Sequence, residues 1–297
     1  MNENIANAVS AVRKGELTER AACRKFKVNR SHLRIKLRDA QIEDLESQRF
    51  VKPNGTLLLF DVHIPHHDIF AINIAVDYAK KHFNIKHIIF GGDLLDCEAL
   101  SRFEKSKDTR KFSDEIYAAN SFLREILAEF PGIGATYIMG NHEERIEKYI
   151  LKNAPELAEL PGLALPDLLD FSGKGIQLVD NRKELEDKGS AFRYHGWSIL
   201  HGHELGICPV TDPARRYLER AKANVIVGHI HKTDSRIMTT LDGQIIKCCS
   251  VGTLAKRNPK YRPVNAWIQG FAVMEHSDSW YMPDIVHNFS ICNGTVI

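Results

Sequence analysis

Five short stretches of this chain end in residues that share one chemistry. "LLLFDVH" carries Asp61 and His63, "HIIFGGD" carries Asp93, and "TYIMGNHE" carries Asn141, His142 and Glu143. "SILHGH" carries His201 and His203, and "VIVGHIH" carries His229 and His231. Carboxylates, an amide and imidazoles are oxygen and nitrogen donors. With no thiolate among them they suit a catalytic divalent ion better than a closed structural zinc site. Each stretch is an apolar run that reads as a strand, so the donors fall at strand ends, where α/β sheets bind their ligands. Strand alternation predicts that Asp61 and His63 share one face, and that His229 and His231 project together while Ile230 points away. The paired glycines before Asp93 let backbone crowd close to the site. Five such ends converging would build one centre, whereas His66, His67 and His203 read as hydrogen-bonded structural histidines.

The elements that must position these residues follow from the apolar pattern. Strand-like runs at 56–60, 87–90 and 136–139 alternate with helical stretches at 67–82 and 113–130, the pattern of an α/β fold. Runs at 197–201, 224–227, 235–240, 244–249 and 271–276 have fewer helices between them. They predict a more antiparallel second sheet packed on the first. At 297 residues and 43% hydrophobic, the chain can bury the core of one large domain plus a small one. The breaker "KPNG" sets the boundary, giving residues 1–52 and 53–297. The apolar runs fall far short of a bilayer span, the N-terminus lacks the order of a signal peptide, and the six cysteines show no CxxC spacing. These features predict a soluble cytoplasmic protein with reduced thiols and no membrane partner. The net charge of +2 excludes nothing by itself.

In order along the chain, DxH, GGD, GNHE, HGH and GHxH resemble the calcineurin-like metallophosphoesterase family over nearly everything after residue 55. The resemblance implies a four-layer α/β/β/α sandwich. It implies one metal held by Asp61, His63 and His231, another by Asn141, His201 and His229, and Asp93 bridging both. Two carboxylates among otherwise neutral ligands would leave two divalent ions with roughly two net positive charges, enough to attract phosphate and acidify water. The same resemblance implies hydrolysis by hydroxide held between the metals. His142 would serve as acid or charge stabiliser, and Asp96 and Glu143 would orient the ligands. Manganese is the expected metal in vitro, with iron, zinc or nickel as alternatives.

Residues 1–52 are a basic module, rich in Arg and Lys from Arg13 to Arg38. Thr18 reads as the cap of a helix to Lys25, and Asn29 or Ser31 as the cap of a second that buries Leu33 and Leu37. "GELTERAACRKFKVNRSHLRIKL" resembles the Pipsqueak or resolvase-type helix-turn-helix. That implies a small all-α DNA-binding domain whose recognition helix begins with Asn29, Arg30, Ser31, His32 and Arg34. The stripe of Leu33, Leu37, Ile42 and Leu45 suits core packing or pairing of copies equally, which leaves the oligomeric state open. Such an arm on this catalytic class resembles proteins of bacteriophages and prophages, which would place the chain in a bacterial host cytoplasm.

The substrate is narrowed by what is missing. "LLDCEAL" after Asp93 lacks the arginine-glycine of serine/threonine protein phosphatases, and Asp96 stands where purple acid phosphatases need a tyrosine. The phosphodiesterase and nuclease side of the family remains. Segments 101–112 and 255–267 mix bases with Phe103, Phe112, Tyr261 and Trp267, which suits a nucleic-acid strand or, equally, solvated loops with packed rings. Arg145, one turn past His142, would reach a phosphate. The expected substrates are DNA or nucleotide phosphodiesters. The alternatives are a small-molecule phosphodiesterase acting on cyclic nucleotides and a DNA-binding sensor without turnover.

Overall fold

The computed structural model describes residues 3–48, 52–102, 111–206, 211–259, 263–277 and 284–297. The chain divides into two compact units, Met1–Lys52 and Pro53–Ile297.

The first unit consists of α1 (Glu3–Arg13), α2 (Glu19–Phe26) and α3 (Arg30–Gln48). Thr18 caps α2 by accepting from Ala21 N at 3.3 Å, and Lys27 ends it in the left-handed region. Asn29 Oδ1 accepts from the amides of Ser31 and His32 and so starts α3. Ile5, Ala8, Ala22 and Leu33 form the core, with Leu37 partly buried against it. The side chains of Ile42 and Leu45 lie outside the described residues. Asn29, Arg30, Ser31, His32 and Arg34 are all exposed. Arg34 Nε donates to Glu19 Oε2 at 2.8 Å and ties α3 to α2.

The second unit begins with β1 (Asn54–Leu59), α4 (Ile69–His82), β2 (Asn84–Phe90), α5 (Phe112–Glu129) and β3 (Gly134–Ile138). It continues through α6 (Glu144–Asn153), α7 (Leu165–Leu168), α8 (Phe171–Lys174), β4 (Ile176–Val179) and α9 (Asn181–Lys188). Then come β5 (Arg193–Tyr194), β6 (Trp197–Ile199), α10 (Pro213–Ala221), β7 (Val225–Val227), β8 (Asp234–Thr239) and β9 (Ile245–Ser250). The chain closes with β10 (Gln269–Glu275), β11 (Ile285–Cys292) and β12 (Thr295–Val296). A seven-stranded sheet runs β12-β11-β10-β1-β2-β3-β4 and a five-stranded sheet runs β5-β6-β7-β9-β8.

The central strands read as unbroken apolar runs because both their faces are covered. Leu57 and Leu59 of β1 join α4 and α5 in one core, while Leu58 and the following Phe60 join Trp197, Ile199 and Ile226 in a second core between the sheets. Ala214, Tyr217 and Leu218 of α10 cover the far face of the second sheet against Val225 and Val227. Helices, sheet, sheet and helix therefore stack as four layers.

Three expectations need correction. The second sheet is parallel at its centre, where β6, β7 and β9 run together, and antiparallel only at its β5 and β8 edges. The run at 271–276 lies elsewhere, because β10 pairs antiparallel with β1 and carries β11 and β12 into the first sheet. The donor residues are also not on strands. β1 ends at Leu59 and β7 at Val227, so Asp61, His63, His229 and His231 stand in the loops beyond.

Candidate metal centre

Those loops carry the donors in an unusual backbone state. Asp61 (φ 51°), His63 (φ 51°), Asp93 (φ 48°), His229 (φ 68°) and His231 (φ 56°) all adopt positive φ. For side chains with a Cβ this conformation costs about 1 kcal/mol or more each, and it persists only where the surroundings fix it. They do so here. Asp61 N donates to Gly92 O and His63 N to Asp93 O, while Leu254 N and Thr253 Oγ1 both donate to Asp61 O. Two glycines permit the crowding. A Cβ on Gly140 would lie 2.3 Å from Asp93 Oδ1, and one on Gly228 would lie 2.4 Å from Asp61 Oδ2.

Each carboxylate uses one oxygen on a neighbouring loop and aims the other inward. Asp61 Oδ2 accepts from His229 N at 2.9 Å, and Asp93 Oδ1 accepts from His142 N at 2.9 Å. Asp61 Oδ1 is buried without a hydrogen-bond partner among the described residues, although His231 Nε2 stands 3.2 Å away and His63 Nε2 3.8 Å away. Asp93 Oδ2 lies 3.2 Å from His201 Nε2 and 3.8 Å from His63 Nε2. The imidazoles follow the same rule. His63 Nδ1 pairs with Asp96 Oδ1 at 3.0 Å and His201 Nδ1 donates to Gly91 O at 3.0 Å, which leaves both Nε2 atoms facing the site.

Two donor groups result, Asp61 with His63 and His231, and Asp93 with His201 and His229. Asn141 Oδ1 joins the second, 3.2 Å from His201 Nε2. The two histidines of "GHIH" thus go to different groups, which their own left-handed backbone allows and strand alternation did not foresee. A third group, His63, Asp96 and His142, overlaps the first.

The electrostatics fit cations. Burial alone would hold His63 neutral, yet Asp61, Asp96 and Asp93 raise it well above its ordinary value. His201 is pushed up to about 10 by Asp93 and Asp61 against the same burial. Burial pulls His231 down and, with His201 nearby, brings His229 to about 4. Asp61 and Asp93 stay far below the usual carboxylate range despite their burial, held there chiefly by His231 and by His142 and His201 respectively. The carboxylates therefore draw positive charge into the site, and protonated imidazoles supply it. Divalent ions meet the same demand. With metal–ligand bonds of about 2.0–2.1 Å, adjacent ligands stand roughly 3.0–3.4 Å apart. The 3.0 Å between His63 Nε2 and His231 Nε2 and the 3.2 Å contacts to Asp61 and Asp93 match that spacing. The orphaned Asp61 oxygen, the inward nitrogens and these distances make the residues fit two metals.

Around the donors stand residues of two kinds. Some were singled out in sequence. Asp96 holds His63, and its carbonyl accepts from His142 Nδ1 at 2.7 Å. Glu143 acts on the backbone around the donors. It clamps the loops by accepting from the amides of Asp93, Leu95 and Gly140 and from Tyr137 OH. Arg145 lies on His142, with Nη2 2.9 Å from His142 Nε2 and Nη1 donating to Asp96 O. His203 Nε2 pairs with Glu144 Oε1 at 2.8 Å, as a structural histidine would. Glu204 was not singled out, and Trp267 was singled out only as a ring for a nucleic-acid strand. Glu204 accepts from the amides of His201 and Gly202, and Trp267 packs edge-on against His231 with centroids 4.3 Å apart. Phe112 packs against the helix-side core, while Phe103 and Tyr261 lie outside the described residues. The described cysteines are free, and no described helix is long and apolar enough to cross a membrane.

A solved structure of GAP50, the anchor in the inner membrane complex of Plasmodium, is similar at 12% identity over 82% of this chain and 86% of that one, with a TM-score of 0.35. No curated protein matches the chain. The family model for calcineurin-like phosphoesterases matches residues 60–233, more than half of the chain and a span that takes in every donor from Asp61 to His231. Family match and donor geometry coincide, and the chain belongs to the calcineurin-like phosphoesterases, metal-dependent hydrolases of phosphoester bonds.

Proposed function

We propose that this phosphoesterase hydrolyses phosphodiesters of DNA or nucleotides, with residues 1–52 serving as a DNA-binding arm. The observation that carries the reading is the place of Asp93 Oδ2, within 4 Å of His201 on one side and His63 on the other. That position suits a ligand shared by two ions. Asp61, His63 and His231 would hold one, and Asn141, His201 and His229 the other. Two divalent ions, when bound, supply Lewis acidity toward the phosphate oxygens and acidify water.

The chain's own residues do the rest. His142 keeps its Nδ1 proton on Asp96 O, so Nε2 faces the site, 3.7 Å from Asp93 Oδ2. Nε2 accepts from Arg145 Nη2 at 2.9 Å, so the pair would act by stabilising charge on the leaving oxygen, and proton donation would require Nε2 to be protonated and released from Arg145. Arg145 orients His142 and sets a permanent positive charge beside the phosphate. Glu143 and Asp96 hold the loops and the His63 ring. In the arm, the exposed Asn29, Arg30, Ser31, His32 and Arg34 suit the start of a recognition helix, and Leu33 anchors it.

One observation favours a second reading. Trp267 is engaged with His231 and Phe112 with the core, which removes two rings from any platform for stacked bases. A small diester such as a cyclic nucleotide needs no such platform. Hydrolysis with manganese, comparing bis-p-nitrophenyl phosphate, p-nitrophenyl phosphate, a cyclic nucleotide and single- and double-stranded DNA, separates these readings. DNA cleavage that loses affinity and salt sensitivity on deleting residues 1–52 supports the arm. Cleavage of the cyclic nucleotide alone supports the second reading, and metal binding without turnover of any substrate would overturn both.

A further inference from the structure

A second histidine–aspartate cluster lies outside the centre described above. His195 in the turn between β5 and β6, His276 just past β10, and Asp284 just before β11 bring three donor atoms within 4.8 Å of one another. Asp284 Oδ2 accepts from His276 Nδ1 at 2.6 Å and lies 2.8 Å from His195 Nδ1. The two rings are 4.3 Å apart. They meet near the start of β1, where His276 N donates to Asn54 O and His276 Nε2 lies 2.8 Å from Thr56 Oγ1. Asp61 stands past the other end of that strand. Five residues of extended chain, about 16 Å, separate it from Thr56.

Several features suit a cation. Two imidazoles and a carboxylate form a nitrogen–oxygen donor set that zinc and other late first-row divalent ions accept. Asp284 Oδ1 is occupied by Ser277 N at 3.0 Å, which leaves Oδ2 as the oxygen shared by both rings. Thr56 Oγ1 is placed to serve either tautomer of His276, because Tyr194 OH lies on its other side at 3.0 Å. Turning that hydroxyl lets His276 carry its proton on Nε2 and free Nδ1 for a metal, the outer partnership that ligating histidines use. His195 holds a left-handed φ of 47° that keeps its ring on Asp284, and its side chain is 46% exposed, which opens a way in from solvent. The present spacings of 2.6 and 2.8 Å are tighter than ligands around one ion, so entry requires the trio to open by roughly half an ångström.

We propose that His195, His276 and Asp284 form a third cation site, of the zinc class, that fastens the β5–β6 turn of the second sheet to β10 and β11 of the first. The test is zinc content and affinity of the full chain by equilibrium dialysis, with cobalt absorption as a second readout. Wild type is expected to hold one more zinc than His195→Ala, and Asp93→Asn to retain that extra ion. Thr56→Val, which keeps the shape and removes the hydroxyl, is expected to weaken the extra site about 10–100-fold. Because His195 lies in a half-exposed turn, its removal leaves the core untouched. Equal zinc content and affinity in wild type, His195→Ala and Thr56→Val would overturn the site.

Discussion

The two histidine–aspartate clusters sit beyond opposite ends of β1 and differ in what their donors already hold. At the Asp61 end the donors are held at ligand spacing, 3.0–3.2 Å from one another. Each carboxylate has one oxygen tied to a backbone amide, His63 and His201 have their rear nitrogens tied to Asp96 and Gly91, and five of the donors stand in strained left-handed loops. At the Thr56 end the donors satisfy one another, with both rings on a single Asp284 oxygen. Donors that must hold ions for a substrate have to be kept from closing to hydrogen-bond distance on one shared atom, and at this end backbone bonds to the carboxylates provide that restraint. Donors that only need to bind can rest together.

Three predictions sharpen this contrast. The largest effect belongs to Asp93→Asn, expected to lower kcat on bis-p-nitrophenyl phosphate by about a thousandfold or more, while His195→Ala stays within roughly twofold. Similar losses in the two variants, read from initial rates, would erase the distinction between the clusters. Next comes the frame itself. Gly140→Ala places a methyl 2.3 Å from Asp93 and should cost on the order of 2–4 kcal/mol in denaturant unfolding, together with most activity. Gly196→Ala, in the β5–β6 turn at φ 82° with open space around its Cβ, should cost only about 1 kcal/mol. The smallest effect is a slope. His63 and His201, the latter raised to about 10, bind protons that a metal must displace, so affinity at the Asp61 end rises with pH. About tenfold per pH unit between roughly 7 and 9 is expected by metal titration. A flat profile would mean that these imidazoles do not ligate.

Much of this was legible in the sequence, for physical reasons. β1, β2 and β3 announce themselves because both faces are buried, which removes polar residues from the run. The donor types survive in five short motifs because each must supply a particular atom. The backbone state of those donors was not legible. Strand alternation predicted that His229 and His231 would project together, and left-handed loop residues send them to different groups. Contacts across long stretches were equally hidden. Nothing local to Trp267 points to His231, and nothing in the run at 271–276 says that it pairs with β1 rather than with the second sheet. Arg145 was placed near the phosphate by its spacing, yet its hold on His142 depends on a loop made 49 residues earlier, through Asp96.

The pairing of β1 with β10 has a consequence for the protein while it is being made. Gly55 faces Glu275 and Leu58 faces Ala272, so one edge of β1 waits for a strand that leaves the ribosome more than 200 residues later. Until then the nascent chain carries an apolar strand with an unpaired row of amides and carbonyls, a template for pairing with other chains. β2 can cover only the opposite edge. Synthesis halted between His231 and β10 would therefore yield a chain that holds all of its metal-site residues and remains prone to aggregate.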